Sequence, residues 1–192
     1  MGIKFSILVC SVSTRRATFL PKIIEQIYGQ IEREGLNKEV ECIVLMDNKT
    51  MTVGDKRNQL IEASCGHWVC FVDDDDRIAD DYVRTLYDAT KKTDADTITF
   101  YASVSINGQV PKIARFFCSE NKNLPDGYDR QPNHLMLIKR DIAHLVGFKS
   151  ISFGEDDDYA ARCYPLIKKI YNIDKVLYYY DFSTTTTETQ KR

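Results

Sequence analysis

This chain has no large excess of either charge, no long apolar run and no cysteines at paired spacing, and each absence removes a class of function. Lys and Arg number 26 against 28 Asp and Glu, a formal net charge of −2 over 192 residues. No global positive field exists to draw in nucleic acid or an anionic membrane. The apolar run at residues 5–10 is too short to cross a bilayer and lacks the layout of a signal peptide. The six cysteines, Cys10, Cys42, Cys65, Cys70, Cys118 and Cys163, form no Cys-x-x-Cys pair and have no His cluster beside them. Metal-thiolate spacing is therefore absent, and the thiols read as reduced, structural side chains of a cytoplasmic protein. No glycine occurs in residues 11–16, so the first loop is not a glycine-rich phosphate cradle. No repeat and no interdomain linker is visible. The expectation is one domain over residues 1–182 and a polar, Thr-rich tail over 183–192.

What is present is ordinary globular material, 43% hydrophobic and 28% charged. Residues 5–10 read as a buried parallel strand. Leu20, Ile23, Ile24, Ile27, Tyr28 and Ile31 recur at helical spacing, with Pro21 in the first turn and Gly35 at the exit. Residues 40–46 form a second strand, 55–63 a helix, 68–72 a third strand, 80–92 a helix and 97–104 a fourth strand. This alternation predicts an α/β fold, an open and mostly parallel sheet with helices on both faces. Ligands of such sheets sit beyond the carboxyl ends of the strands. Asn107-Gly108 then predicts a hairpin turn. Residues 119–132 read as a loop, 135–138 as a strand, 141–146 and 157–164 as helical, and 175–180 as a late strand. Trp68, Tyr178, Tyr179 and Tyr180 are candidate stacking platforms, with core packing the simpler role for most of them.

Two acidic clusters carry the chemistry. Asp73-Asp74-Asp75-Asp76 follows an apolar strand directly, so four like charges emerge where an α/β sheet places its site. Alternate residues of an extended chain project the same way, so Asp73 and Asp75 can share a ligand. A hard divalent cation, Mn²⁺ or Mg²⁺, takes oxygen ligands and bridges to phosphates. The second cluster, Glu155-Asp156-Asp157-Asp158, follows Gly154. Its last two members suit the electrostatics of a helix start. A carboxylate that accepts a proton from an incoming hydroxyl would complete a group-transfer site. His134 precedes a predicted strand beside the site, either as a ligand or as a residue held by a backbone carbonyl.

These segments together resemble the family 2 glycosyltransferases, of GT-A fold, in the minimal form found in phages and bacterial glycan clusters. The resemblance spans about the first 165 residues. Residues 5–15 look like the first strand and nucleotide loop, although Cys10-Ser11-Val12-Ser13-Thr14-Arg15 departs from the usual Pro-Thr-Tyr-Asn-Arg style. Val44-Leu45-Met46-Asp47-Asn48 resembles the second strand with its base-recognising acid. Gly54-Asp55-Lys56-Arg57-Asn58 resembles the family's Gly, Arg-Asn segment, and Phe71-Val72-Asp73-Asp74-Asp75-Asp76 its Phe-Leu-Asp-x-Asp-Asp motif. Gly147-Phe148, Gly154-Glu155-Asp156 and Arg162 are similar to its later segments.

The resemblance implies roles. Ser11, Ser13, Arg15 and Asp47 would line the pocket for the nucleotide, a UDP-sugar in many members. Asp73 and Asp74 would face the donor, and Asp73 and Asp75 would hold the cation, with His134 completing its ligands. Arg57 and Lys56 would add positive charge, although Lys56 also suits a solvated surface. Asp156, or Glu155 beside it, would be the base of a single inverting displacement. The acceptor could be a glycan, a lipid-linked or protein group, or a modified base. Rival readings are a haloacid dehalogenase-type phosphatase, which Arg77 argues against, a nucleotidyltransferase, and a non-catalytic nucleotide-sugar or glycan-binding module.

Overall fold

The computed structural model describes residues 2–184, so the expected tail lies, from residue 185 on, outside the described residues. In chain order the elements are β1 (Phe5–Val12), α1 (Leu20–Arg33), β2 (Val40–Asp47), α2 (Val53–Ala63), β3 (Trp68–Phe71), β4 (Arg77–Ile78), α3 (Tyr82–Lys92), β5 (Thr97–Ile106), β6 (Lys112–Arg115), β7 (Lys122–Asn123), β8 (Gly127–Asp129), β9 (Leu137–Lys139), α4 (Arg140–Val146), α5 (Glu155–Cys163) and β10 (Ile170–Phe182).

Side-chain alternation on the strands builds two cores, one on each face of the sheet. Phe5, Ile7 and Val9 of β1 and Trp68 and Cys70 of β3 point to one face, where Ile23, Ile27 and Ile31 of α1 and Val83 and Leu86 of α3 cover them. Leu8, Val69 and Phe71 point to the other, under Leu60 and Ile61 of α2, Ala143 of α4 and Tyr159 of α5. This is the expected α/β sandwich, and buried Gln30 adds a polar pin to it. Its amide donates to Ala79 O at 2.8 Å and accepts from Val83 N at 2.9 Å, joining α1 to α3.

β1 pairs in parallel with β2 and with β3. The parallel pattern then breaks, because β9 inserts between β3 and β5 and runs antiparallel to both. The sequence carries no cue to this insertion, which follows a long excursion through β6, β7 and β8. It has a positional effect: the residues entering β9 arrive at the carboxyl end of β3, where Phe71 N donates to His134 O at 2.8 Å. β5 takes β9 and then β6 along one edge and β10 along the other. The Asn107-Gly108 turn forms as expected, both residues having positive φ (50° and 73°). Residues 119–132 are less irregular than their composition suggests, since β7 and β8 pair there. β10 is longer than residues 175–180, because β5 supplies it with a full-length partner.

Trp68 and Tyr178 are buried core residues, and the Trp68 indole donates to Ala95 O at 3.0 Å. All six cysteines are free thiols, with Cys70 and Cys163 buried and Cys65 exposed. Among the described residues no helix is long and apolar enough to cross a membrane.

Phe100 is fully buried between the sheet and α3, edge-on to Tyr82. Phe100→Ala is expected to cost about 3–5 kcal/mol in urea unfolding, and a loss under about 1 kcal/mol would contradict this core assignment.

Candidate active site

The in-register ends of β1, β2 and β3 bring three loops to one edge of the sheet, with Val12 directly opposite Asp47. The four aspartates arrive there, and the fold disperses their charge over Ser11, Arg15, Arg57 and Tyr178. Asp74 is buried and accepts from Ser11 Oγ at 2.6 Å and from Arg15 Nη1 at 2.5 Å. The other arm of Arg15, Nη2, lies 3.2 Å from Asp75 Oδ2. Asp73 pairs with Arg57 Nη2 at 3.2 Å and has His134 Nε2 at 3.6 Å. Asp76 accepts from the Tyr178 hydroxyl at 2.7 Å, and that hydroxyl accepts from Asp73 N at 3.0 Å.

The partners set the protonation tendencies. Burial would raise the Asp73 carboxyl, but Arg57 and His134 outweigh it and hold it well below the usual range. Burial raises Asp75 against the opposing pull of Arg15. Burial, followed by the charge of Asp73, pushes Asp76 well above an ordinary carboxyl.

Helix α2 ties the acidic run to everything else. Thr52 caps it, accepting from Asp55 N at 3.1 Å. Lys56, for which a solvated position was an equal expectation, is only 3% exposed. Its ammonium donates to Asp47 Oδ1 at 2.9 Å and Ser11 O at 3.1 Å, bridging the ends of β1 and β2. Asp47 Oδ2 accepts from Thr50 N at 2.7 Å and Met51 N at 2.8 Å. Against the effect of burial, Lys56 and these amides lower Asp47 to about 2. Ser13 is exposed and donates to Asn48 Oδ1 at 2.7 Å, a second link between the same loops.

Arg57 is 4% exposed. Its guanidinium lies 4.8 Å from the Phe71 ring centroid and 5.5 Å from that of Phe148, with Glu155 Oε1 at 3.5 Å from Nε. Its Nε and Nη1 make no hydrogen bond among the described residues, and neither do the ring nitrogens of buried His134. Arg57 thus joins the first acidic cluster to the second.

The second cluster is delivered by a loop that α2 grips. A Cβ at Gly54 would lie 1.8 Å from Lys149 O, and Gly54 N donates to Ile151 O at 3.0 Å. Asn58 donates to Phe148 O at 2.9 Å and accepts from Phe148 N at 2.7 Å. Ser150 Oγ donates to Asp55 Oδ1 at 2.7 Å. From the other side Arg162 donates to Val146 O and Gly147 O and pairs with Asp158, which also meets Lys149. Glu155 is buried against Arg57, and burial raises its carboxyl. Asp157 is exposed. Asp156 is half-buried and has no side-chain hydrogen bond or ion pair among the described residues. The latch contacts of Gly54, Asp55 and Asn58 were not anticipated from sequence, where these residues were read only as part of a family-like segment, and Tyr178, read there as a candidate stacking platform or core residue, is also a strut under the acidic run. Their partners lie about 90 to 105 positions away, beyond any local pattern.

The expected cation ligands Asp73, Asp75 and His134 do not form a protein cage. Among the described residues no three His, Cys, Asp or Glu side chains converge to hold a metal ion. His134 faces Asp73, while Asp75 turns onto Arg15. The carboxylates of Asp73 and Asp75 remain partly exposed, and carboxylate oxygen is the donor type that a hard divalent cation takes.

No protein-family model and no curated protein sequence matches the chain. Solved structures do. S. aureus TarS 1-349 in complex with UDP-GlcNAc superposes with a TM-score of 0.67 at 17% identity, over 97% of this chain and 62% of that one. The same protein in complex with UDP gives 0.66 at 18% identity, over 94% of this chain and 61% of that one. The catalytic domain of Drosophila beta1,4galactosyltransferase 7, in complex with xylobiose, gives 0.58 at 12% identity, over 98% and 76% of the two chains. The chain spans about 60% of the length of TarS 1-349. These likenesses establish the fold as GT-A.

Two variants test the grip of α2. Gly54→Ala is expected to push the 149–151 backbone away, with faster amide exchange across residues 147–156; unchanged exchange would refute the latch. Asp47→Asn leaves buried Lys56 uncompensated, at a cost of about 3–5 kcal/mol near neutral pH. Because the Asp47 pKa is depressed on folding, its stabilisation is complete above its unfolded value of about 3.9 and fades as pH falls through about 2. The gap between wild type and Asp47→Asn in urea unfolding should therefore shrink from pH 6 to pH 2, and a constant gap would refute the ion pair.

Proposed function

We propose that this chain is an inverting glycosyltransferase of the family 2 type, moving a sugar from a nucleotide-diphosphate donor, a UDP-sugar, to an acceptor hydroxyl. The observation that carries this reading is the position of Asp156. A carboxylate with no hydrogen bond or ion pair among the described residues sits in the first turn of α5, just after a gripped loop and one residue from Glu155, which Arg57 ties to the acidic run. A binding module has no need of such a group, whereas transfer to a hydroxyl needs one base.

The roles follow from the partners. The donor's nucleotide lies over the ends of β1 and β2, against Ser11, Ser13 and Asp47. Among the described residues Asp47 Oδ1 meets only Lys56, which leaves it a lone pair for a base N–H. Arg15 offers a fork of donors to the diphosphate. Asp73 and Asp75 would hold a Mn²⁺ or Mg²⁺, which when bound would supply Lewis-acid stabilisation of the leaving group. Asp74 serves the nucleotide site indirectly, by holding Ser11 and Arg15. The acceptor oxygen attacks the anomeric carbon as its proton passes to Asp156. The bond from that carbon to the diphosphate oxygen breaks, and the nucleoside diphosphate leaves with the electron pair. Glu155, buried against Arg57, positions the turn and leaves proton transfer to its neighbour.

Titration of UDP, GDP and their sugar conjugates in a calorimeter, with Mn²⁺ and then with excess chelator, tests the donor site. Binding of a uridine nucleotide that chelator abolishes is expected, and its loss in Asp75→Ala. No binding of any nucleotide would overturn the proposal. Asp156→Asn should bind UDP as wild type does and lose at least about 100-fold in transfer, measured as donor consumption with an active acceptor. Retained transfer would move the base elsewhere.

A further inference from the structure

The acidic run already holds a cation of its own. Arg15 lies across two of its members, Nη1 on Asp74 at 2.5 Å and Nη2 on Asp75 at 3.2 Å. Asp74 is not free to release it, because it is buried and its second oxygen takes Ser11 Oγ. The guanidinium also lies 5.3 Å from the Phe19 ring centroid, which favours its plane staying where it is. As long as one arm of the fork remains on Asp74, rigid guanidinium geometry keeps the other arm beside Asp75. The charge persists as well, since an arginine does not deprotonate in a protein. The other exposed-side carboxylate, Asp73, is engaged by Arg57 and faces His134.

We infer that Arg15 is the resident counter-ion of Asp75, so that a divalent cation enters this site together with the donor diphosphate and not before it. A bare divalent ion on Asp75 would share one carboxylate with a fixed positive charge a few ångströms away, in a partly dry site where repulsion is strong. A diphosphate reverses that balance. Its oxygens accept from Arg15 and ligate the cation at the same time, so both positive charges gain a partner. Arg15 keeps its hold on Asp74 and stays beside Asp75 throughout, its charge then balanced by the diphosphate as well as by the two carboxylates. Linkage then requires that UDP tighten the cation by the same factor as the cation tightens UDP. This inference rests on the nucleotide-diphosphate reading above.

The test is direct titration of Mn²⁺, following the paramagnetic resonance signal of the free ion, on the full chain with and without UDP. Wild type should bind Mn²⁺ at least about tenfold more tightly with UDP than alone. Arg15→Gln should bind Mn²⁺ alone more tightly than wild type does, with the UDP effect reduced toward none. Arg15→Lys, which keeps the charge, should retain most of the suppression. Equal Mn²⁺ affinity of wild type with and without UDP would overturn the inference, as would weaker Mn²⁺ binding by Arg15→Gln alone. If Arg15→Gln fails to fold, the wild-type pair of titrations decides by itself. UDP that binds without any effect on Mn²⁺ sinks this inference and leaves the nucleotide site standing. UDP that binds at no Mn²⁺ concentration sinks the nucleotide reading and the inference with it.

Discussion

The site depends on one buried cation. Arg57 lies against the rings of both Phe71 and Phe148, which meet edge to face, and pairs with Asp73 and Glu155. Desolvating a guanidinium is costly, and a buried ion pair is not in itself a source of stability. Its effect here is geometric. Asp73 comes from the end of β3 and Glu155 from the start of α5, 82 positions later by their numbers, and no backbone pairing joins the two segments. A charge that both carboxylates must neutralise holds them at a set separation. Two of its nitrogens make no hydrogen bond among the described residues, so the interaction is sustained by charge and ring contact more than by donor count.

Around that centre the protein solves a problem of like charges. Four consecutive aspartates would repel if all faced the same solvent. The backbone turn after β3 sends them to different neighbours: Asp73 to Arg57, Asp74 to Ser11 and Arg15, Asp75 to Arg15, and Asp76 to Tyr178. Burial and partner then pull their affinities for a proton apart, with Asp73 lowered and Asp76 raised. Neighbours in sequence thereby acquire distinct chemical characters. The same logic separates Glu155, buried against Arg57, from Asp156, which is left without a partner.

Two features of the fold deliver these groups. The antiparallel insertion of β9 brings the chain back to the carboxyl end of β3, so that His134 arrives beside Asp73. Helix α2 acts as a clamp: its first turn and Asn58 hold the 147–151 backbone, while Lys56 and Arg57 reach into the sheet end. The contact at Gly54 is so close that any side chain there would displace Lys149. One short helix therefore registers the β1 and β2 loops against the loop that carries the acidic turn.

Local pattern was enough for much of this molecule. Alternating apolar runs and helical spacing determined the α/β class, the strands β1, β2, β3 and β5 and the helices between them, because burial of each element's apolar face is written in a period of two or of 3.6 residues. The first acidic cluster was legible by position, since carboxylates after an apolar strand fall at the sheet's carboxyl edge, whereas Asp47 and Arg57 were legible only through the family resemblance and His134 through its place before a predicted strand. Tertiary structure alone decided the rest. It made Lys56 a buried bridge where a solvated surface lysine was equally expected, set β9 antiparallel between β3 and β5, and turned Asp75 onto Arg15, so that the expected ligand trio does not close. Each of these outcomes depends on a partner dozens of residues away. A charged side chain's partner is chosen by which loops the sheet brings together, and no local period in the sequence records that choice.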